Sequence, residues 1–531
     1  MASDDKRYFI VYNGEVYNFN ELKRELVDIG VNFSTSSDTE VVLYSYIKWG
    51  PECLNRFNGM FAFAIWDNEK KELFLARDRF GKKPLYYYKS RNKMTFASEL
   101  GALICDDDVP REISYEALNS YLALGYILSP MTLYKDVFKL EPATHMTISY
   151  PGERMYKTQY WDYADRFRVK MSASEKDIAV NLLTLLNEAV KKRMVSDVPI
   201  GAFLSGGVDS SSISSIMKKY HREELHTFSI GFDQKSYNEI DAAERVAKWI
   251  GTTHHNKICR IDDNRGLIDE ALGAHDEPFA DNSLIPTFAL AKLTSSYVKV
   301  ALSGDGADEI FAGYMTYKAD RCYFYAQALP LFIRNWLVGS KLRGNPKRQT
   351  KLDLRYKKKQ FFYGSLHSAE KAHYLWRIML HPEERIGVLG EDKRELVYDT
   401  DPFSTFKKYY DRVKDIHWLD KNLYVDAMTW LADDIMVKVD RASMRNSIEV
   451  RNPYLDVDLV SYAASIPAEI KMKGLRTKYI LKKSLKGVLP DFVLNKKKSG
   501  FNAPIRAWFG SDSIDEFKIF NKYVFDKKVK L

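Results

Sequence analysis

Short runs of apolar residues broken by turn residues fill the first third of the chain, and longer runs at helical spacing follow. Apolar-rich runs bounded by turn signals predict strands over residues 7–12, 60–66, 73–76, 85–88 and 94–97. Asn13-Gly14, Asp67-Asn68 and Arg91-Asn92 read as the turns between them. Two amphipathic stretches, 20–29 and 38–49, predict helices between the early strands. Helices against an antiparallel sheet make a layered α+β domain that ends near Tyr163.

A polar stretch over 162–175 then changes the texture. Ser174 and Asp177 form a capping-box pattern ahead of a helix whose apolar face is Ile178, Leu182, Leu185, Leu186, Ala189 and Val190. Beyond it, strands predicted over 198–204, 226–232 and 298–302 alternate with helices over 211–220, 238–250 and 308–314. That alternation predicts an α/β domain with a parallel sheet covered on both faces. From 314 to about 431 the pattern is mostly helical, a helical extension without a chemistry-bearing motif. The expected domains are therefore 1–163 and 174–531.

Length supports that division, since 531 residues are too many for one hydrophobic core. The +9 formal charge, from 80 basic and 71 acidic residues, is small for this size and does not suggest nucleic-acid binding. Lys496-Lys497-Lys498 is a short basic cluster whose plain reading is a solvated loop. Cys53, Cys105, Cys259 and Cys322 lack any C-x-x-C spacing, which argues against a disulfide framework or structural zinc. No apolar run reaches the roughly 18 residues of a membrane-spanning helix, and residues 1–6 lack an apolar signal core. A cytoplasmic protein without membrane or nucleic-acid partners is expected.

Two motifs carry chemistry. Ser205-Gly206-Gly207-Val208-Asp209-Ser210-Ser211 sits between a predicted buried strand and a helix. Glycines there let the backbone approach an anion, and the positive helix end favours phosphate or pyrophosphate. The absence of a following Gly-Lys-Ser/Thr excludes a Walker A loop. At the end of a second strand lies Ser303-Gly304-Asp305-Gly306-Ala307-Asp308-Glu309. Three carboxylates in five residues at an exposed turn repel one another unless a cation sits among them. Asp209 and Asp308 converging on Mg²⁺ and a nucleotide's pyrophosphate is the economical reading.

The first of these motifs resembles the pyrophosphate (PP-loop) signature of ATP pyrophosphatases. Together with Asp440-Arg441, Glu449-Val450-Arg451-Asn452-Pro453-Tyr454-Leu455-Asp456, and Lys498-Ser499-Gly500-Phe501 before Pro504-Ile505, the second motif resembles the glutamine-hydrolysing asparagine synthetase family. The early segments, residues 12–18, 37–40, 58–63 and 76–81, are similar to class II glutamine amidotransferase domains, which have an Ntn-type fold. The resemblance covers nearly the whole chain.

By that resemblance, Leu204 and Ile230 flank the adenine nucleotide, and Ser205, Gly206, Gly207, Asp209 and Ser210 take pyrophosphate. Ser303 and Gly304 lie beside AMP, and Asp305 stands where many members have a glutamate proposed to deprotonate ammonia. Lys498 would balance charge developing between pyrophosphate and the adenylate. Asn13, Gly14, Glu15 and Asp38 match positions that hold glutamine. ATP and Mg²⁺ are the implied cofactors, aspartate with glutamine or ammonia the small-molecule partners, and a homodimer the candidate assembly.

One departure changes the expected nitrogen source. Class II amidotransferases use an N-terminal cysteine whose own α-amine acts as base, whereas Met1 here precedes Ala2. A chain starting at an internal methionine, lacking the early strands, is the expected reading, with a natural ammonia-dependent variant as its rival. Free ammonia is then expected to supply the amide nitrogen. The implied reaction converts aspartate to asparagine through β-aspartyl-AMP. The alternatives are the same adenylation on another carboxylate (β-lactam, peptide or sugar-acid amidation) and a non-catalytic nucleotide-binding scaffold.

Overall fold

The first strand, β1 (Tyr8–Val16), does not stop at the expected Asn13-Gly14 turn. It runs through both residues in antiparallel register with β2 (Gly59–Asp67), Asn13 opposite Ala62 and Gly14 opposite Phe61. The glycine serves a close approach of two strands. A Cβ at position 14 would lie 2.1 Å from the Met60 carbonyl oxygen, closer than any side chain permits.

The computed structural model describes residues 1–150, 154–234, 236–260, 264–339, 354–498, 500–509 and 516–529. They form two units, one of Met1–Ala117, Ile127–Tyr163 and Met428–Asp440, the other of Leu118–Tyr126, Ala164–Ala427 and Arg441–Leu531.

In the first unit, β3 (Glu72–Arg77), β7 (Thr144–Ser149) and β8 (Met155–Gln159) extend the sheet to the antiparallel order β1-β2-β3-β7-β8. A smaller sheet takes the order β5-β4-β6, from β4 (Tyr86–Lys89), β5 (Met94–Ala97) and β6 (Val137–Lys139). One face of the large sheet packs Ile10, Phe61, Phe63 and Phe74 against Leu22, Leu26 and Val42 of the helices Phe19–Asp28 and Asp38–Trp49. The other face packs Ala62, Ala64 and Met146 against Tyr87 of the smaller sheet and Leu85 just before it. This is the layered α+β arrangement expected. The strand β8 escaped the sequence because its MYKTQ residues are all exposed and show no apolar alternation.

The second unit holds a parallel sheet of order β11-β10-β9-β12-β13. Its strands are β9 (Ile200–Phe203), β10 (His226–Phe232), β11 (Thr253–Cys259), β12 (Val300–Leu302) and β13 (Glu449–Arg451). From the central β9 the chain first builds outward through β10 and β11, then returns to lay β12 and β13 on the opposite side. Strand order therefore reverses between β9 and β12, the place where parallel sheets open a crevice for ligands. Ser174 caps the helix Glu175–Arg193 as the sequence predicts, accepting from the Asp177 amide. The described residues of 315–426 are largely helical, also as expected.

Much of the 449–456 motif is scaffold. Arg451 pairs with Glu449 at 2.6 Å and donates to the Arg193 carbonyl. Asp456 accepts from the buried Arg193 at 2.8 Å and caps the helix Val457–Ser465. No helix among the described residues is long and apolar enough to cross a membrane.

Candidate active site

Both glycine motifs leave the C-terminal ends of adjacent strands, β9 and β12, and so flank the reversal of strand order. Gly304 lies against the Asp209-Ser210 backbone. A Cβ there would come within 2.8 Å of the Ser210 nitrogen, so only glycine lets the two loops touch. Ser205 closes its own loop, its amide donating to Ser210 Oγ at 3.1 Å. Gly207 begins the helix Val208–Tyr220, whose first turn receives no side-chain cap and carries Asp209. Such an end presents amide hydrogens and a partial positive charge to an anion. Leu204, just after β9, and Ile230 on β10 are buried. Ser303 donates to an Asp305 carboxylate oxygen at 2.6 Å.

The structure corrects one expectation here. The Ser303–Glu309 turn was expected to be exposed, but Asp308 and Glu309 are buried. Cations and a phenol cover them. Lys478 Nζ bridges Asp209 Oδ2 at 2.6 Å and Asp308 Oδ1 at 2.5 Å. Lys498 pairs closely with Asp308 and stands 4.0 Å from Asp209. Lys496 donates to the Ser205 carbonyl at 3.2 Å. Burial pushes the Asp308 carboxyl up, but Lys478 and Lys498 outweigh it and hold the group below its ordinary range. Burial likewise opposes the charge on Lys498, and the carboxylates of Asp308 and Asp209 raise it above an ordinary lysine. Burial and the Asp308 charge push Glu309 up, and Tyr314 donates to it at 2.5 Å.

Sequence reasoning missed Lys478. It lies in a left-handed turn (φ 53°) ahead of the helix Tyr479–Ser484, among unremarkable basic residues. The signal was chemical: two carboxylates from separate loops at one buried place require more than one cation. Arg377 was also missed, sitting over the Tyr314 ring at 5.4 Å and pairing closely with Asp426. Asp426 in turn accepts from Tyr317 at 2.6 Å and touches His373, which reaches Asp320 at 2.8 Å.

The donor set fits Mg²⁺ presented with phosphate. Asp209 Oδ1 is buried without a hydrogen-bond partner among the described residues. No cluster of three or more His, Cys, Asp or Glu occurs among them that could cage a metal without substrate oxygens.

In the first unit, the candidate glutamine residues gather around Asp38 and the end of β1. Asp38 accepts from the Val16 amide at 3.0 Å and from Tyr12 at 2.7 Å, and Asn13 donates to Ser98 at 3.2 Å. Gly14 and Glu15 are the next residues of the same strand. Cys53 is packed in the apolar core with its thiol pushed up by burial, while Cys105 is exposed. Ser499 of the Lys498 motif lies outside the described residues.

Comparison with known proteins agrees with both units. The asparagine synthase family matches residues 181–518, and the glutamine amidotransferase domain family matches residues 1–161. Glutamine-hydrolyzing asparagine synthetase 1 of Bacillus subtilis is 34% identical over 520 residues, covering 96% of this chain and 78% of that one. Asparagine synthetase 3 of the same organism is 32% identical, covering 93% and 75%. Amidase chyE of Penicillium rubens is 28% identical, covering 95% and 78%. An Ntn-type amidotransferase domain preceding a PP-loop parallel-sheet domain, with two glycine loops meeting across β9 and β12, places this chain in the asparagine synthase family.

Proposed function

We propose that this chain uses ATP to convert aspartate to asparagine through β-aspartyl-AMP, releasing pyrophosphate and AMP. The observation that carries this reading is the meeting of Asp209 and Asp308, from two glycine loops, under Lys478 and Lys498. Residues 1–163 are the proposed amidotransferase domain and 174–531 the proposed synthase domain.

The substrate's side-chain carboxylate attacks the α-phosphorus, and the bond to pyrophosphate breaks. Amides at the start of the helix Val208–Tyr220, with Ser205, Gly206, Gly207 and Ser210, cradle the departing pyrophosphate. Lys498 supplies positive charge where negative charge grows, which in a sheltered site is worth about 3 kcal/mol. Asp209 and Asp308 would hold Mg²⁺, which when bound neutralises charge on the phosphates. Lys478 keeps those two carboxylates together before substrate arrives. Leu204, Ile230, Ser303 and Gly304 would border the adenosine. Ammonia then attacks the acyl carbon, Asp305 takes a proton from it, and AMP leaves.

Free ammonia is the proposed nitrogen source for this polypeptide. Its two amidotransferase-unit cysteines are unsuited to hydrolyse glutamine, because Cys53 is sealed in the core and neither carries a free α-amine. Asn13, Gly14, Glu15 and Asp38 would still shape a glutamine pocket.

The test is isotopic. Aspartate labelled with heavy oxygen in its side-chain carboxylate should pass one label atom to AMP. Label remaining wholly in the amino acid product would contradict an acyl-adenylate.

A further inference from the structure

Residues 321–369 contain eleven Lys and Arg against a single Asp, which leaves the rest of the +9 chain close to neutral. The excess positive charge is therefore concentrated in one stretch of the sequence, of which Arg321, Arg334, Lys357, Lys358 and Lys359 have described side chains. In the same region the helices Met315–Ala326 and Leu331–Gly339 and their connection expose Phe324, Tyr325, Leu329, Leu331, Phe332 and Trp336. Phe332 and Trp336 are 72% and 69% exposed, values large apolar side chains seldom hold in water. Lys357, Lys358 and Lys359, at the start of the helix Leu354–Ser365, are exposed as well.

The apolar residues stand on anchored elements. Arg334 donates to Gln327 at 2.9 Å and to the Ser365 carbonyl, and Tyr323 donates to the His367 carbonyl at 2.8 Å. Those bonds fix the two helices to the next one; Phe324 packs edge-on against Trp418 at 5.7 Å, while Tyr325, Phe332 and Trp336 remain exposed.

From this juxtaposition we infer that the surface of residues 324–336 and 357–359 docks on an anionic lipid bilayer. Aromatic and leucine side chains enter the headgroup boundary while lysines meet lipid phosphates. The mode is peripheral and needs no spanning helix. Charge decides among occupants. A second copy of this chain would bring like charge against like, which opposes self-association through this face. Nucleic acid would satisfy the lysines and stack on the aromatics, but it offers nothing to Leu329 and Leu331.

Flotation of the full chain with phosphatidylcholine vesicles, alone or containing phosphatidylglycerol, tests the inference. Binding should favour the anionic vesicles at least tenfold and weaken with salt, since each basic residue near such a surface contributes about fivefold. Phe332→Ser with Trp336→Ser should reduce binding at least tenfold, and so should Lys357→Glu with Lys358→Glu. Both pairs should keep wild-type pyrophosphate release, because neither touches the crevice. Equal binding to both vesicles, or none, would overturn the proposal. So would an RNA homopolymer bound in place of vesicles, or a dimer lost in these variants without any vesicle binding.

Discussion

Two aspartates and two lysines set the charge of the crevice, and each owes its place to a different segment. Asp209 opens the helix Val208–Tyr220, Asp308 the short helix Ala307–Ile310, Lys478 sits in a left-handed turn and Lys498 in a stretch without regular structure. Because Lys478 spans both carboxylates, removing its charge leaves them facing each other in a buried place. Breaking such a pair costs about 3–5 kcal/mol. Lys478→Gln is expected to lower both thermal stability and pyrophosphate release, the latter about a hundredfold or more. Wild-type turnover by that variant would show that the lysine has no part in the reaction. Asp209→Asn and Asp308→Asn are expected to abolish adenylate formation while circular dichroism stays native. Near-normal pyrophosphate release by either would remove it from the metal-binding set. The convergence of the glycine loops, both aspartates and Lys498 was legible from sequence because each lies in a short motif. Lys478 and Arg377 were not, since each acts on a partner distant in sequence and no motif surrounds it.

At the scale of elements, the same contrast recurs. Helices with one apolar stripe were read closely, and the helix Asp38–Trp49 falls on the predicted residues. Strands were legible where they are buried and apolar, as with β2 and β10. The polar edge strand β11, the exposed β8 and the charged three-residue β13 show no such pattern, and pairing with neighbours alone makes them strands. The helical extension, read as lacking chemistry, holds a buried ionic network that ties Asp320, His373, Asp426 and Arg377 together. Burial alone would lower the His373 pKa, but Asp320 and Asp426 outweigh it and raise the value to about 9 from an ordinary 6.5. Its stabilisation is therefore fully present below about pH 6.5 and lost as pH rises through about 9. The full shift corresponds to on the order of 3 kcal/mol. His373→Gln should be less stable than the wild type at pH 6, and the gap between their melting temperatures should close by pH 9.5. A gap that stays constant over that range would mean that His373 is not charged in the folded protein.

Across the whole molecule, two units have unrelated folds. The first packs helices and a small sheet on either side of an antiparallel sheet, and the second opens its crevice where parallel strand order reverses. Supplied with glutamine and no ammonium, this polypeptide is expected to release little glutamate, whereas ammonium alone should support amide formation. Robust glutamate release would require a nucleophile other than Cys53. AMP-forming use of ATP at the paired loops is read from the nucleotide products. With ATP, Mg²⁺, aspartate and ammonium, AMP, pyrophosphate and asparagine should appear in equal amounts, and omitting aspartate should stop all three. Formation of ADP and orthophosphate instead would contradict the account.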